Sequence, residues 1–191
     1  HRIVLLTSPE PGDGKSTMSC NLAVALAQTG KSVLLVDADM RRPTVKRLFG
    51  LKNKMGLSDM LDEVPQDINE CIQSVTFEGS TLDVMSSGEC PIDPGERLMS
   101  NRMESLLSML RDRYEWIIVD SPPVLAVTDS ATLSRLVDGV ILVVRMNGRT
   151  RMGAIRAAET LRTLGANILG IIANGIDPTK HGGYGYQYGV Y

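Results

Sequence analysis

With 191 residues and 43% apolar content, the chain is long enough for one domain with a sizeable core. Its 20 Lys and Arg against 22 Asp and Glu leave a formal net charge of −2, which removes the electrostatic case for broad nucleic-acid or membrane-surface binding. No apolar run approaches the roughly 20 residues that cross a bilayer. The chain opens at His1 and enters a strand pattern at once, without a leader pattern, as expected of a fragment or processed chain. Cys20, Cys71 and Cys90 are odd in number and lack CxxC spacing, which reads as reduced thiols of a cytosolic compartment.

Strand and helix patterns alternate along the chain, so the expected fold class is α/β: a doubly wound, mostly parallel sheet of the P-loop NTPase kind. Strands are predicted over Arg2–Thr7, Ser32–Asp37, Leu82–Met85, Trp116–Asp120, Gly139–Arg145 and Asn167–Ala173. Several are unbroken apolar runs, as strands buried on both faces require. Helices are predicted over Ser16–Thr29, Thr44–Phe49, Leu57–Leu61, Pro94–Arg113, Ser130–Leu136 and Thr150–Leu164. Gly30 and Gly165 are placed to end the first and last. Residues 50–93 are the least regular part, and no internal repeat is visible.

The domain is expected to run over residues 1–180, followed by a flexible tail over 181–191. Four of the five tyrosines, Tyr184, Tyr186, Tyr188 and Tyr191, fall in that tail among glycines. Such a composition cannot build a core.

Between the first strand and helix lies Pro9-Glu10-Pro11-Gly12-Asp13-Gly14-Lys15-Ser16-Thr17, the pattern GxxxxGK[ST] with Pro9 in place of the first glycine. A glycine turn opening a helix presents unpaired N–H groups to phosphate oxygens. Pro11, Gly12, Asp13, Gly14, Lys15, Ser16 and Thr17 would form that cradle. The Lys15 ammonium can reach the β and γ phosphates, and the Ser16 hydroxyl can bind Mg²⁺.

The second strand ends in Asp37-Ala38-Asp39-Met40-Arg41 and the fourth in Asp120-Ser121-Pro122-Pro123. Ligands of open α/β sheets bind beyond the carboxyl ends of strands, so Asp37, Asp39 and Asp120 are expected near the same phosphates. Carboxylates there can hold a Mg²⁺ hydration shell or take a proton from an attacking hydroxyl. The competing reading of the Asp pair is a strand-ending turn and cap. Asn174, after the last strand, could read an adenine edge or merely make a turn with Gly175. Arg41, Arg42, Lys46 and Arg47 form either a solvated face or a contact for phosphate, acidic substrate or another subunit. Arg145 ends its strand at the same edge, within reach of nucleotide or a neighbouring loop.

These segments resemble the bacterial tyrosine kinases (BY-kinases) of exopolysaccharide and capsule systems. The resemblance rests on the P-loop at Pro9–Thr17, a DxDxR segment at Leu34–Arg41, a DxPP segment at Ile117–Pro123 and the tyrosine cluster at Tyr184–Tyr191. Segments beginning at Gly56 and Asp93 also look like those of the family. The resemblance implies an ATP-dependent protein-tyrosine kinase whose acceptors are Tyr184, Tyr186, Tyr188 and Tyr191, used in trans. It implies ATP and Mg²⁺ as cofactors, with Lys15 on the phosphates, Ser16, Asp37 and Asp120 on the metal, and Asp39 helping to activate the tyrosine. Asp37 and Asp39 could exchange these duties. Arg41 and Asn174 are expected at the nucleotide. The implied partners are the tail of a neighbouring subunit, in a ring-like homo-oligomer of the full protein, a transmembrane polysaccharide co-polymerase or activator segment, and a cognate tyrosine phosphatase. The implied location is the cytoplasmic side of the bacterial plasma membrane. The family's ExxRxxR self-association segment lies upstream of the first strand and is not in this sequence.

Two other readings compete. A partition- or cell-division-type P-loop ATPase would carry a signature lysine early in the P-loop, where this chain has Glu10. A regulatory module could hold ATP without turnover, its tail phosphorylated by another kinase. The full set Lys15, Ser16, Asp37, Asp39 and Asp120 weighs against the latter.

Overall fold

A computed structural model describes residues 2–62, 67–146 and 150–176. In chain order the elements are β1 (Ile3–Thr7), α1 (Lys15–Gln28), β2 (Val33–Asp37), α2 (Val45–Phe49), α3 (Leu57–Leu61), β3 (Ile72–Phe77), β4 (Ser80–Met85), α4 (Pro94–Leu98), α5 (Asn101–Arg113), β5 (Trp116–Asp120), α6 (Asp129–Leu133), β6 (Gly139–Arg145), α7 (Thr150–Thr163) and β7 (Ile168–Asn174). The strands form one sheet in the order β3-β4-β2-β5-β1-β6-β7. All neighbours are parallel except the edge pair β3–β4.

Every residue of β1 and β2 is buried, because helices cover both faces. On one face Val4, Leu6, Leu35 and Ile118 pack against Cys20, Ala23 and Ala27 of α1 and Val45 of α2. On the other, Leu5, Leu34, Val36, Ile117 and Leu142 meet Leu57 of α3, Leu98 of α4, Met103, Leu106 and Leu110 of α5, Leu133 of α6 and Leu161 of α7. Each such large aliphatic side chain contributes about 1.5–3 kcal/mol relative to leaving it in water. The small residues Ala23 and Ala27 let α1 lie close to the sheet, and α1 begins where β1 hands over to the phosphate turn.

Two elements differ from the sequence-based expectation. Residues Ile72–Phe77 form a strand, β3, joined to β4 by a tight turn in which Glu78 and Gly79 both take left-handed backbone (φ 48° and 80°). Such a two-residue turn is what right-twisted hairpins favour. The expected helix Pro94–Arg113 is two helices. Ser100 leaves the helical region (φ −73°, ψ 153°) and its hydroxyl accepts from the Met103 N–H at 3.4 Å, so it caps α5. The other boundaries agree to within three residues. The expected tail, residues 181–191, lies outside the described residues.

Candidate active site

Helix α1 starts at Lys15, with Gly14 as its cap residue; no side chain caps it and no acidic residue lies in its first turn. Its N-terminal partial positive charge therefore faces the turn without an acidic side chain of its own against it. Gly12 and Gly14 adopt φ of 90° and 93°, which L-residues rarely take. A Cβ on Gly14 would also collide with the Asn174 side-chain amide. Within the turn, the Ser8 hydroxyl donates to the Glu10 carbonyl (2.8 Å), and the Glu10 N–H donates to Asp13 Oδ2 (3.1 Å). Burial raises the Asp13 carboxyl above its ordinary pKa, and the hydrogen bond from the Glu10 N–H opposes that rise.

Three strands deliver the chemistry to one edge. Asp37 and Asp120 are register partners on β2 and β5, both fully buried. Asp37 accepts from the backbone N–H groups of Asp39 (3.1 Å), Thr44 (3.2 Å) and Val45 (3.1 Å), so its two oxygens shape the turn into α2. Burial and the neighbouring Asp120 charge push its pKa up to about 7. Asp120 Oδ1 accepts from the Ser19 hydroxyl at 3.0 Å. Its Oδ2 is buried without a hydrogen-bond partner and lies 3.7 Å from the Lys15 ammonium. Burial raises the Asp120 pKa, and Lys15 opposes that rise.

The Lys15 ammonium donates to Asp39 Oδ2 (2.7 Å) and to Ser16 Oγ (3.1 Å). Asp39 Oδ1 meanwhile accepts from the Arg42 N–H at 3.0 Å. Lys15 is 8% exposed and Asp39 4%, so this ion pair is almost sealed. Burial disfavours the Lys15 charge, but Asp120, Asp39 and Asp37 together hold its pKa above the usual lysine value. One cation thus serves three carboxylates. A cavity of about 530 Å³ opens over this point. Gly12, Gly14, Lys15, Ser16 and Asp39 line its floor; Pro122, Pro123, Ala126 and Val127 form an apolar wall.

The structure brings Pro11 to Thr17, Asp37, Asp39 and Asp120 together as the sequence anticipates. Arg41 and Asn174 are placed beside them with partners of their own. Arg41 lines the cavity but donates through Nε (2.8 Å) and Nη2 (3.1 Å) to the two oxygens of buried Asp129. Asn174 donates through Nδ2 to the Asp13 carbonyl (2.8 Å) and accepts at Oδ1 from the Gly175 N–H (2.8 Å). Of the two expected alternatives for Asn174, the turn with Gly175 is formed; its contact with the P-loop was not anticipated. Arg145 donates to the Gly12 carbonyl at 3.3 Å, a loop contact. Tyr184, Tyr186, Tyr188 and Tyr191 lie outside the described residues.

Two participants are absent from the sequence reading. Ser19 follows Lys15 by one helical turn, and that i, i+4 spacing was the available signal. Asp129 joins the Arg41 loop to the DxPP loop, because the adjacent Ser130 hydroxyl donates to the Pro122 carbonyl. An aspartate at a helix start carries no signal separating that role from a first-turn charge.

Among the described residues no three His, Cys, Asp or Glu side chains converge to chelate a cation unaided. Mg²⁺ does not need such a cage, since it keeps waters and leans on substrate phosphates with one or two carboxylates. The partnerless Asp120 Oδ2 beside the Ser16 hydroxyl fits such an ion; Asp37, committed to backbone, stands behind them.

An AAA-domain family description matches residues 1–169. The chain is 41% identical over 187 residues to the tyrosine-protein kinase YwqD of Bacillus subtilis, covering 98% of this chain and 77% of that protein. It is 40% identical to the putative tyrosine-protein kinase EpsB of Ralstonia solanacearum, covering all of this chain but 25% of that protein. The solved kinase domain of the Escherichia coli tyrosine kinase ETK superposes with a TM-score of 0.87 at 37% identity, over 98% of this chain and 72% of the other. The septum site-determining protein MinD of Pyrococcus horikoshii, 24% identical over 94% of this chain and 75% of its own, superposes at 0.75 and shares the fold. The P-loop fold and these relatives imply that the chain binds a nucleotide.

Proposed function

The chain belongs to the bacterial tyrosine-kinase family, and from that membership we propose that it transfers the γ-phosphoryl of ATP to tyrosine hydroxyls, its own tail included. The observation that carries the reading is the Lys15–Asp39 ion pair at the cavity floor, within reach of the partnerless Asp120 oxygen. A pure nucleotide switch needs the phosphate cradle and metal acid; a kinase also needs a carboxylate facing an acceptor, and Asp39 faces the cavity.

The α1 N-terminus and the amides of Gly12 to Thr17 hold the β and γ phosphates. As they enter, the Lys15 ammonium turns from Asp39 to phosphate oxygens, since a multiply charged anion outweighs one carboxylate. Asp39 Oδ2 is then free to accept a proton. An unperturbed tyrosine hydroxyl has a pKa of about 10, so it is a weak nucleophile at neutral pH. Asp39 orients it in line with the γ-phosphorus and takes its proton as the Oη–P bond forms. The bond from γ-phosphorus to the bridging oxygen breaks, and ADP leaves with the electron pair. Mg²⁺, held by Ser16 Oγ and Asp120 Oδ2 with Asp37 behind them, would neutralise charge on the β and γ oxygens. Arg41 and Asn174 have donors left over from their protein partners to contribute to the nucleotide.

The acceptors in this reading are Tyr184, Tyr186, Tyr188 and Tyr191, reached in trans. The partners are a neighbouring copy, in a ring-like assembly of the full protein, a membrane-bound activating segment of a polysaccharide system, and a phosphatase that resets the tail. Among the described residues no helix is long and apolar enough to cross a membrane. We place the domain on the cytoplasmic side, where ATP is.

The test is incubation with Mg²⁺ and labelled ATP, followed by mass spectrometry of residues 180–191. Time-dependent phosphotyrosine, abolished by Lys15→Met and largely removed by replacing the four tail tyrosines with Phe, is expected. ATP consumed without phosphotyrosine would move the reading to the switch ATPase.

A further inference from the structure

The cavity has a second half that phosphate binding does not use. Beside Asp39 the cavity is also lined by Arg42, Thr44, Arg47, Leu48, Pro123 and Val127. Of the four cations in this cluster, two are committed. Arg41 is paired with Asp129, and Lys46 donates to the Asn53 carbonyl at 2.7 Å. The guanidinium groups of Arg42 and Arg47 make no hydrogen bond or ion pair with the described residues; the bond of Arg42 to Asp39 comes from its backbone N–H. Two unpaired cations therefore border an apolar slot, with Leu48 47% exposed beside them.

Topology says which half of the site this is. In the sheet, β2 lies two strands from β1 on one side and β7 two strands on the other. Asn174, at the end of β7, braces the P-loop from the second side. On the kinase reading, with the β and γ phosphates in the Gly12–Thr17 turn, the γ-phosphate lies over Lys15 and Asp39, and the lining past Asp39 borders the attacking group.

Resting on the kinase reading above, we propose that this half-cavity seats the acceptor tyrosine and that Arg42 and Arg47 select acceptors carrying an anionic side chain nearby. The ring fits between Leu48 and the Pro123–Val127 wall, and the anion meets the two guanidinium forks. In an extended peptide, side chains two residues apart project from the same face, about 7 Å apart. Tyr184, Tyr186 and Tyr188 have that spacing. No Asp or Glu follows Asp177, so a phosphotyrosine is the one anionic side chain this segment can offer. A phosphoryl group carries about −1.5 to −2 charge at pH 7. The first transfer to the tail then helps the next, and in other substrates Asp or Glu fills the same place.

The experiment uses the full chain, ATP and Mg²⁺ with peptides of sequence 182–191 in which Tyr188 is the single acceptor. Position 186 carries Phe, Glu, phosphotyrosine or Lys. The expected kcat/KM order is phosphotyrosine, then Glu, then Phe, then Lys, with about tenfold between the first and third at low salt. In the Arg42→Gln, Arg47→Gln double variant the ratio of phosphotyrosine to Phe peptide falls to near one. The readout is this ratio, so a change in overall rate does not disturb it. Equal use of all four peptides by the unaltered chain, or an unchanged ratio in the double variant, overturns the proposal and leaves the kinase reading standing. A preference for Glu that phosphotyrosine does not share overturns the tail sequence of events. Labelling of no peptide, with ATP still consumed, overturns the kinase reading itself. Equilibrium binding of the same peptides, read by fluorescence anisotropy, must give the same order.

Discussion

The two flanks of the P-loop are built on opposite principles. On the β2–β5 side, Asp37, Asp39 and Asp120 crowd around one ammonium, and one carboxylate oxygen is left without a hydrogen bond. On the β6–β7 side, the Asp13 and Gly12 carbonyls are each met by a fitted donor, from Asn174 and Arg145. One flank is under-neutralised and gains most from an incoming cation and phosphate; the other is satisfied and holds the cradle still. Excess buried negative charge is costly by itself. Its persistence beside a phosphate cradle fits an arrangement completed by substrate.

Breaking the charged flank has the largest expected effect. Lys15→Met should lower phosphotransfer by about 10³-fold or more, by removing the ammonium that stands in the phosphate cradle. Without nucleotide it should also lower the melting temperature, because three carboxylates then face one another uncompensated. Asp39→Asn should reduce kcat by about 10²–10⁴-fold, the usual range for a lost general base. Its nucleotide affinity, measured by titration calorimetry, should stay within a few-fold of the unaltered chain.

The bridge between the two acidic loops should come next. Arg41→Gln and Asp129→Asn each remove the bidentate pair that ties the DxDxR loop to the DxPP loop. Each should cost about tenfold in kcat/KM through misplacement of Asp39 and Asp120. The double variant should be no worse than either single one, as expected of residues acting as one unit. Additive losses would mean that Arg41 acts at the nucleotide independently of Asp129. On the satisfied flank, Asn174→Ala should be milder: a few-fold rise in KM for ATP and about 1 kcal/mol of stability, one hydrogen bond's worth.

The smallest effect is in pH. The Asp37 pKa is raised in the fold, to about 7 against an ordinary carboxylate value near 4. Between those values the folded chain holds a proton that the unfolded chain has lost. This group therefore favours folding at the acidic end of the window, and that contribution fades as pH rises through about 7. Melting curves of the nucleotide-free protein should show this slope, and Asp120→Asn should move it to lower pH by removing the facing charge.

Much of this was legible in the chain because it is local. Apolar runs such as Ile3–Leu6 and Trp116–Val119 state their own burial, and a glycine turn opening a helix states a phosphate cradle. The sequence placed Lys15, Asp37, Asp39 and Asp120 at one edge by a general rule of open sheets. It missed β3, whose alternating pattern and Glu78-Gly79 turn were lost in an irregular stretch, and the break at Ser100, where a cap serine looks like any helical serine. Those errors lie away from the site.

What the sequence by itself determined was the parts: a cradle, three acids and a lysine, with the family to which they belong. Only the tertiary structure decided their division of labour. Asp37 and Asp39 are indistinguishable as letters, yet one is committed to the backbone of a turn and the other faces a cavity. Arg41 and Arg47 read alike, yet one has a buried partner 88 residues away and the other has none among the described residues. The physical reason is that a charge's role is set by which distant groups share its desolvated space. That sharing is fixed by strand order, which no local pattern encodes.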